Sequence, residues 1–528
     1  MKMKRLFNIH LLMLAALCSM AVVLGSCSSE ENVPDGTGTS GTNDKNLTTF
    51  ETGTPTNTKG TRTSMNPTTG AFFWEEGDRI YVKDDNNIWQ TSNAVDAAHA
   101  GSSWFKFKVP GLFAAHNTYK VYYPGQTSSA NIANIPAAQT QTKPNTTKHF
   151  GASGDCGVAT ATRAAGERNF NFTLDHQSAI LVFQPYTSNT VLHNCYLTKI
   201  EVTSADNITG TYTFNPTTGD LTGTGTGAQA VLTTKDPTPG SANEKGFPLT
   251  NATASVSTNG AYMLIKPGTH TLRVRYWIKD YTTGTEGTIT KNLGSFAYDK
   301  NTFYDMTASL DVRNYPANDY YMWDAQKPYW DGHEWDNANS SLRNQPTVNG
   351  QNDSHYAQNN SDPRWYHEGQ AVPGLEATHS CATAPNINEM SWYAFGGAPH
   401  WDGDELWTTM GHLYKGGMWF LKKAYINHYK TNKDYNGADM RYGISQQFNY
   451  SIIQGPPSAA DANKYFYLPA IGAYENGTLV ALGTGVSFWS STGRPGASGL
   501  AGVMGFESGY VVIGTYYSNY AYKAWAFQ

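Results

Sequence analysis

Apolar residues along this chain seldom recur every three or four positions. They alternate with polar residues or gather in short runs, and Gly, Pro and Asn punctuate them. Trp104–Val109 and Phe170–Leu174 alternate with period two, the pattern of a strand with one buried face. Ala179–Phe183 is continuously apolar, as in a strand covered on both faces. Further strands read at Phe72–Trp74, Arg79–Val82, Tyr119–Tyr123, Leu197–Val202, Gly210–Phe214, Ala261–Ile265, Leu272–Ile278 and Thr302–Leu310. So many short strands predict packed sheets, and the length from Arg62 to Leu310 calls for two sandwich-like units, divided near Tyr186.

After Val312 the pattern changes, and Arg313 to Asp319 reads as a short link. Ten of the 14 tryptophans lie beyond it. Asn386–Tyr393, preceded by Pro385, carries an apolar helical face through Ile387, Met390 and Tyr393. Asp404–Leu413 is a second helix candidate, interrupted by Gly411. Strands return at Tyr465–Leu468, Ser487–Ser490, Gly502–Phe506, Tyr510–Ile513 and Ala521–Phe527, which predicts an α+β unit over residues 319–528.

Composition narrows the function. Charged residues are 15% and the net charge is -5, with no Lys/Arg cluster, so nucleic acid is not an expected partner. Aromatic residues are 13%, with 33 tyrosines, the look of a β-rich extracellular protein. Apart from Cys18 and Cys27, the cysteines are Cys156, Cys195 and Cys381, an odd number without zinc-type spacing, read as buried thiols. No cofactor or metal is expected. His333-Glu334 lacks the second histidine of a zinc protease.

The N-terminus carries Lys2, Lys4 and Arg5, then an apolar run to Leu24, then Leu24-Gly25-Ser26-Cys27. Small residues before a cysteine resemble the lipobox of bacterial lipoproteins, which implies cleavage before Cys27 and acyl chains on its sulfur. Ser28-Ser29-Glu30-Glu31 is similar to the surface-export signal of Bacteroidetes lipoproteins. Residues 1–27 therefore read as a signal peptide for the outer membrane. Residues 28–60, rich in Gly, Thr, Ser and Asn, read as a flexible tether.

Four segments resemble the fimbrillin family of Bacteroidetes: Thr61–Ser64 with Trp74–Val82, Ile135–Gln141, Phe172–His176, and Ile200–Val202 with Gly210–Phe214 and Thr218–Leu221. The resemblance implies a mainly β chain with two tandem β-sandwich-like (transthyretin-like, Greek-key) domains, here 61–185 and 186–312. In members that polymerise, a protease cuts after a basic residue beyond the tether. The first strand departs, and a strand from another subunit fills the groove. Arg62 is the candidate cut site and Lys59 the second. Beyond Asp319, Tyr465–Gly472, Gly477–Leu479 and Phe488–Thr492 resemble the C-type-lectin-like domains that end many Bacteroidetes surface proteins. The calcium-binding triplets Glu-Pro-Asn, Gln-Pro-Asp and Trp-Asn-Asp are missing, and Cys381 alone cannot form the reactive pair of formylglycine-type enzymes. The expectation is a non-enzymatic adhesive subunit at a pilus tip, or a minor subunit, since the last domain occupies the exit of a donor strand. Its partners would be other subunits, through strand complementation, and a surface glycan or protein. The alternative is a lone glycan-binding lipoprotein. Trp330, Asp331, Trp401, Asp402 and Asp404 are the ligand-binding candidates, because indole faces pack on sugar C–H surfaces and carboxylates accept from hydroxyls.

Overall fold

The computed structural model describes residues 3–6, 47–52, 64–65, 72–368, 375–493 and 499–528. Cys27, Lys59 and Arg62 lie outside the described residues. Among the described residues, no helix is long and apolar enough to cross a membrane. The fold is mainly β.

The first sheet holds eight strands and one apolar core, with Trp74, Phe107, Val121 and Phe170 at its centre. Its path runs from Trp89–Thr91 to Phe105–Pro110. Those two ends meet where the Asn93 N–H donates to the Lys108 carbonyl at 3.1 Å. The sheet is thus curled on itself rather than built from two packed layers, which corrects the sandwich expected for residues 61–185. Closure removes free sheet edges and lets one set of inward side chains fill the interior.

A second correction concerns the tether. Leu47–Thr52 is a strand inside this curled sheet, antiparallel to Phe105–Pro110 and parallel to Phe170–Phe172. Phe50 is fully buried, stacked on Phe170 at 4.9 Å, and Trp74 Nε1 donates to Thr52 Oγ1 at 3.0 Å. One well-placed aromatic ring and two flanking strands suffice to order a segment whose local composition argues for disorder.

The second unit is a sandwich. One layer is the sheet Met3–Leu6, Thr302–Ser309, Ala179–Tyr186, Ala261–Ile265. The other includes Gln229–Thr233, Tyr196–Ser204, Gly268–Lys279 and Glu286–Tyr298. Leu181 and Phe183 meet Ile200, Val274 and Tyr276 between the layers. On the outer face Ile180 and Val182 pack with Phe150 and Leu264, so Ala179–Phe183 is covered on both sides, as its unbroken apolar run predicts. This strand pairs with Ala261–Ile265 and Thr302–Ser309, so the sheets do not divide near Tyr186. Chain also crosses between the two units. Ala138–Thr140 pairs with Gln229–Thr233, and Ile132–Ile135 with Gly210–Phe214. The glutamines of Ile135–Gln141 explain that segment's pattern. Gln139 exchanges hydrogen bonds with the Leu264 N–H (3.0 Å) and carbonyl (2.7 Å), and Gln141 accepts from the Tyr262 N–H (2.8 Å). Their amides stand in for a neighbouring strand along Ala261–Ile265.

Residues 315–522 contribute two further apolar clusters of their own, the larger of them around Trp407, Phe488 and Ile513. The helix Ile387–Gly396 sits where its face predicts. Asn386 accepts from the Glu389 N–H (3.1 Å), and Glu389 accepts from the Asn386 N–H (2.9 Å), a reciprocal capping box. Asp404–Leu413 is not a helix. It belongs to a hairpin of His400–Thr409 and His412–Leu421, turned at Met410 (φ 47°) and Gly411 (φ 76°). Positive φ at both turn positions matches the right-handed twist of a two-residue hairpin. Leu406 to Met410 are all buried, so neither period shows in the sequence. This hairpin docks the third unit on the second. Leu406 and Leu413 join the sandwich core, and buried Asp280 accepts from the Leu413 N–H (3.1 Å). Cys156, Cys195 and Cys381 are free and buried.

Candidate functional site

The hairpin and its neighbour strand Tyr465–Pro469 build a cleft of about 500 Å³ in the third unit. Register puts Trp419 directly opposite Tyr467, their rings 5.0 Å apart. Across the cleft, Tyr315 stacks on Trp525 (5.8 Å, 22°), and the Arg313 guanidinium lies over Tyr315 at 4.9 Å. Arg313 and Glu405 supply charge at its lining, and buried Trp407, whose Nε1 donates to the Gly416 carbonyl at 2.9 Å, anchors the wall. Burial pushes the Tyr315 phenol up to about 12 and the Tyr467 phenol further still, so both remain neutral hydroxyls at physiological pH. Flat aromatic faces with a few polar groups at the margin suit a ring with one apolar face, such as a sugar, or a side chain of a protein partner. Nothing in this arrangement pairs a nucleophile with a base.

Beneath the cleft, Lys523 is fully buried. Its ammonium pairs with Asp319, donates to the Pro316 carbonyl at 2.8 Å and lies 3.7 Å from the centre of the Tyr320 ring. Asp319 also accepts from Trp525 Nε1 at 2.6 Å. The pair thereby ties the first and last strands of the unit, Tyr320–Tyr321 and Tyr522–Lys523, to a wall of the cleft.

The residues singled out in the sequence do not converge on this cleft. Trp330 is buried against Tyr329 and Tyr474 and belongs to the core. Asp331 lies at the surface, 3.4 Å from Lys327. Asp404 is exposed, and Trp401 packs over Gly403 and Gly416. Asp402 is buried and accepts from the N–H groups of Asp404 and Glu405, both at 3.1 Å, which shapes its own loop. Its other oxygen accepts from Trp419 Nε1 at 3.3 Å, so Asp402 bears on the cleft by holding Trp419. Sequence reasoning missed Trp419, Tyr467, Tyr315 and Trp525 as a group, because only strand register and chain closure bring them together. Elsewhere, Asp324, His367 and His379 place three potential metal-ligand atoms within 4.8 Å of one another.

No protein-family model and no curated protein matches the chain. Several solved structures do. A putative cell adhesion protein from Bacteroides ovatus is 16% identical, with 45% of this chain and 84% of that chain covered and a TM-score of 0.29. A fimbrial protein from the same species is 12% identical, covering 87% of this chain and 95% of that one, with a TM-score of 0.22. The fimbrial anchor protein Mfa2 from Porphyromonas gingivalis is 11% identical, covering 47% and 82%, with a TM-score of 0.20. At these TM-scores the superpositions fix no common fold over the whole chain.

Proposed function

We propose that this chain is a cell-surface fimbrial subunit acting in adhesion, a tip or ancillary one, without enzymatic activity. In this reading it is exported, lipidated at Cys27 and cut after Arg62 or Lys59. Its first sheet then accepts an extended strand from another subunit, and the aromatic cleft of the third unit recognises a glycan or protein. The observation that carries this is the place of Leu47–Thr52, between Phe105–Pro110 and Phe170–Phe172. This strand precedes both candidate cut sites. After a cut it would be held by non-covalent contacts alone, and its departure would bare two rows of backbone N–H and C=O groups and an aromatic floor. An incoming strand with an apolar residue at the Phe50 position would restore both. The edge of Thr302–Ser309 supports the same reading. It pairs with Met3–Leu6, which lies within the signal segment, so maturation would open that edge too.

The cleft also supports the second reading, a lipoprotein that binds glycans without polymerising. Mass spectrometry of the protein recovered from cells separates the two. An N-terminus just after Arg62 or Lys59, with another subunit bound, is the expected result. A lipidated chain intact from Cys27, with no subunit attached, would overturn the polymerising reading.

A further inference from the structure

A cluster of donors outside the cleft lies in the loop region of the third unit. Asp324 is fully buried, and its side chain is held by backbone groups of one short segment. Oδ1 accepts from the N–H groups of His379 (2.7 Å) and Cys381 (3.3 Å), and Oδ2 from the Thr378 N–H (2.8 Å). Onto the same Oδ2 converge two imidazoles, His367 Nδ1 at 3.0 Å and His379 Nδ1 at 3.5 Å, with the Thr378 hydroxyl at 3.4 Å.

Two imidazoles and a buried carboxylate thus come together around one oxygen. A carboxylate oxygen offers about two lone-pair sites. The Thr378 N–H takes one and His367 Nδ1 the other, while His379 Nδ1 also lies 3.1 Å from the Thr378 hydroxyl. A cation shared by Oδ2 and the two Nδ1 atoms would satisfy all three donors together. The distances suit it: with ligand bonds of about 2.0–2.2 Å, neighbouring donors of a tetrahedral zinc ion lie about 3.3–3.5 Å apart. The two edges to Oδ2 are 3.0 and 3.5 Å, and all three donors fall within 4.8 Å.

The surroundings hold these side chains in place. The Trp323 ring lies nearly parallel to His367 (6.3 Å, 11°), and the Asp324 N–H donates to Cys381 Sγ at 3.2 Å. Asp324 itself adopts the left-handed conformation (φ 50°), sparsely populated by non-glycine residues and found where surrounding contacts enforce it.

We propose that Asp324, His367 and His379 form a binding site for a divalent first-row transition metal, with zinc the best match to two imidazoles and a carboxylate. Three protein ligands leave a fourth position for water or for a donor atom of a bound partner. The site is independent of the adhesive reading above.

The test uses the full-length mature chain, stripped with a chelator, dialysed and titrated with zinc chloride alone. Calorimetry and elemental analysis should give one zinc ion per chain in the wild type. The double variant His367→Ala/His379→Ala should bind none, with unchanged circular dichroism; both histidines are about a third exposed (34% and 39%), so their loss leaves the core intact. Cobalt in place of zinc should give the strong visible bands of a tetrahedral site in the wild type, a readout that needs no variant. Absence of bound zinc, absence of those bands, or equal zinc binding by the double variant would each overturn the proposal.

Discussion

Replacing Phe50 by alanine should unfold the first sheet far more readily than any change at its surface. Phe50 is fully buried and touches three rings: Phe170 stacked at 4.9 Å, Phe113 edge-on at 5.2 Å and Tyr119 at 6.5 Å. Truncating a buried phenylalanine costs about 3–5 kcal/mol, from lost transfer energy and the cavity left behind. The floor here is made of Phe170 and Tyr119 on separate strands and Phe113 on a loop, and the two strand rings cannot collapse together without breaking the sheet's register. The upper half of that range is therefore expected, about a thousandfold or more in the unfolding equilibrium of this unit. Urea unfolding of the full chain, with the transition of the first sheet resolved by hydrogen exchange at Phe107 and Val121, reads the change. Ile88→Ala is the control, since Ile88 is 57% exposed, and it should stay within about 0.5 kcal/mol. A loss below about 1 kcal/mol for Phe50→Ala would mean that Leu47–Thr52 is not a structural member of the sheet in solution.

Other consequences follow from the third unit. Burial pushes the Lys523 ammonium down to about 8 from 10.5, against the attraction of Asp319. Between those values the unfolded chain binds more protons than the folded one, so this group makes stability rise with pH from about 8 toward 10.5. Melting temperatures from pH 7.5 to 9.5 should show that rise in the wild type and lose it in Lys523→Met; equal slopes would refute it. Asn386→Ala removes half of the capping box and should cost about 1–2 kcal/mol, measured by denaturant unfolding. Trp419→Ala should abolish binding on a glycan array while the fold is kept, whereas Asp404→Ala, at a fully solvated position, should change nothing. Trp330→Ala should act on stability instead, by about 3–5 kcal/mol, because its ring is core.

Legibility in the sequence followed the burial pattern. Phe105–Pro110 alternates buried and exposed residues, and its strand is plain from Phe-Lys-Phe-Lys-Val. Ala179–Phe183, apolar throughout, is equally plain, and its two covered faces come with it. Glu286–Tyr298 was not read, because this long strand is mostly half-exposed and carries Gly, Thr, Lys and Asn. It is ordered by its antiparallel partner Gly268–Lys279, not by its own pattern. Leu47–Thr52 was hidden for a related reason: what orders it is a seat between strands that lie 53 or more residues further along the chain. The hairpin mistaken for a helix shows the limit of periodicity where every residue of a segment is buried. The cleft depends on register, which put Trp419 beside Tyr467, and on closure of the chain, which put Tyr315 beside Trp525. The metal-ligand candidates were invisible because 43 and 55 residues separate Asp324 from the two histidines, far from any compact motif.

Strand exchange by the purified, cut chain tests the replaceable-strand reading most directly. The chain is cleaved after Lys59 or Arg62, and a fluorescent peptide of residues 46–53 is added while polarisation is followed. Binding by the cut chain, blocked when the peptide carries alanine at position 50 and absent from the uncut chain, is the predicted result. A cut chain that keeps its own strand and takes up no peptide, or that unfolds on cleavage, would contradict it.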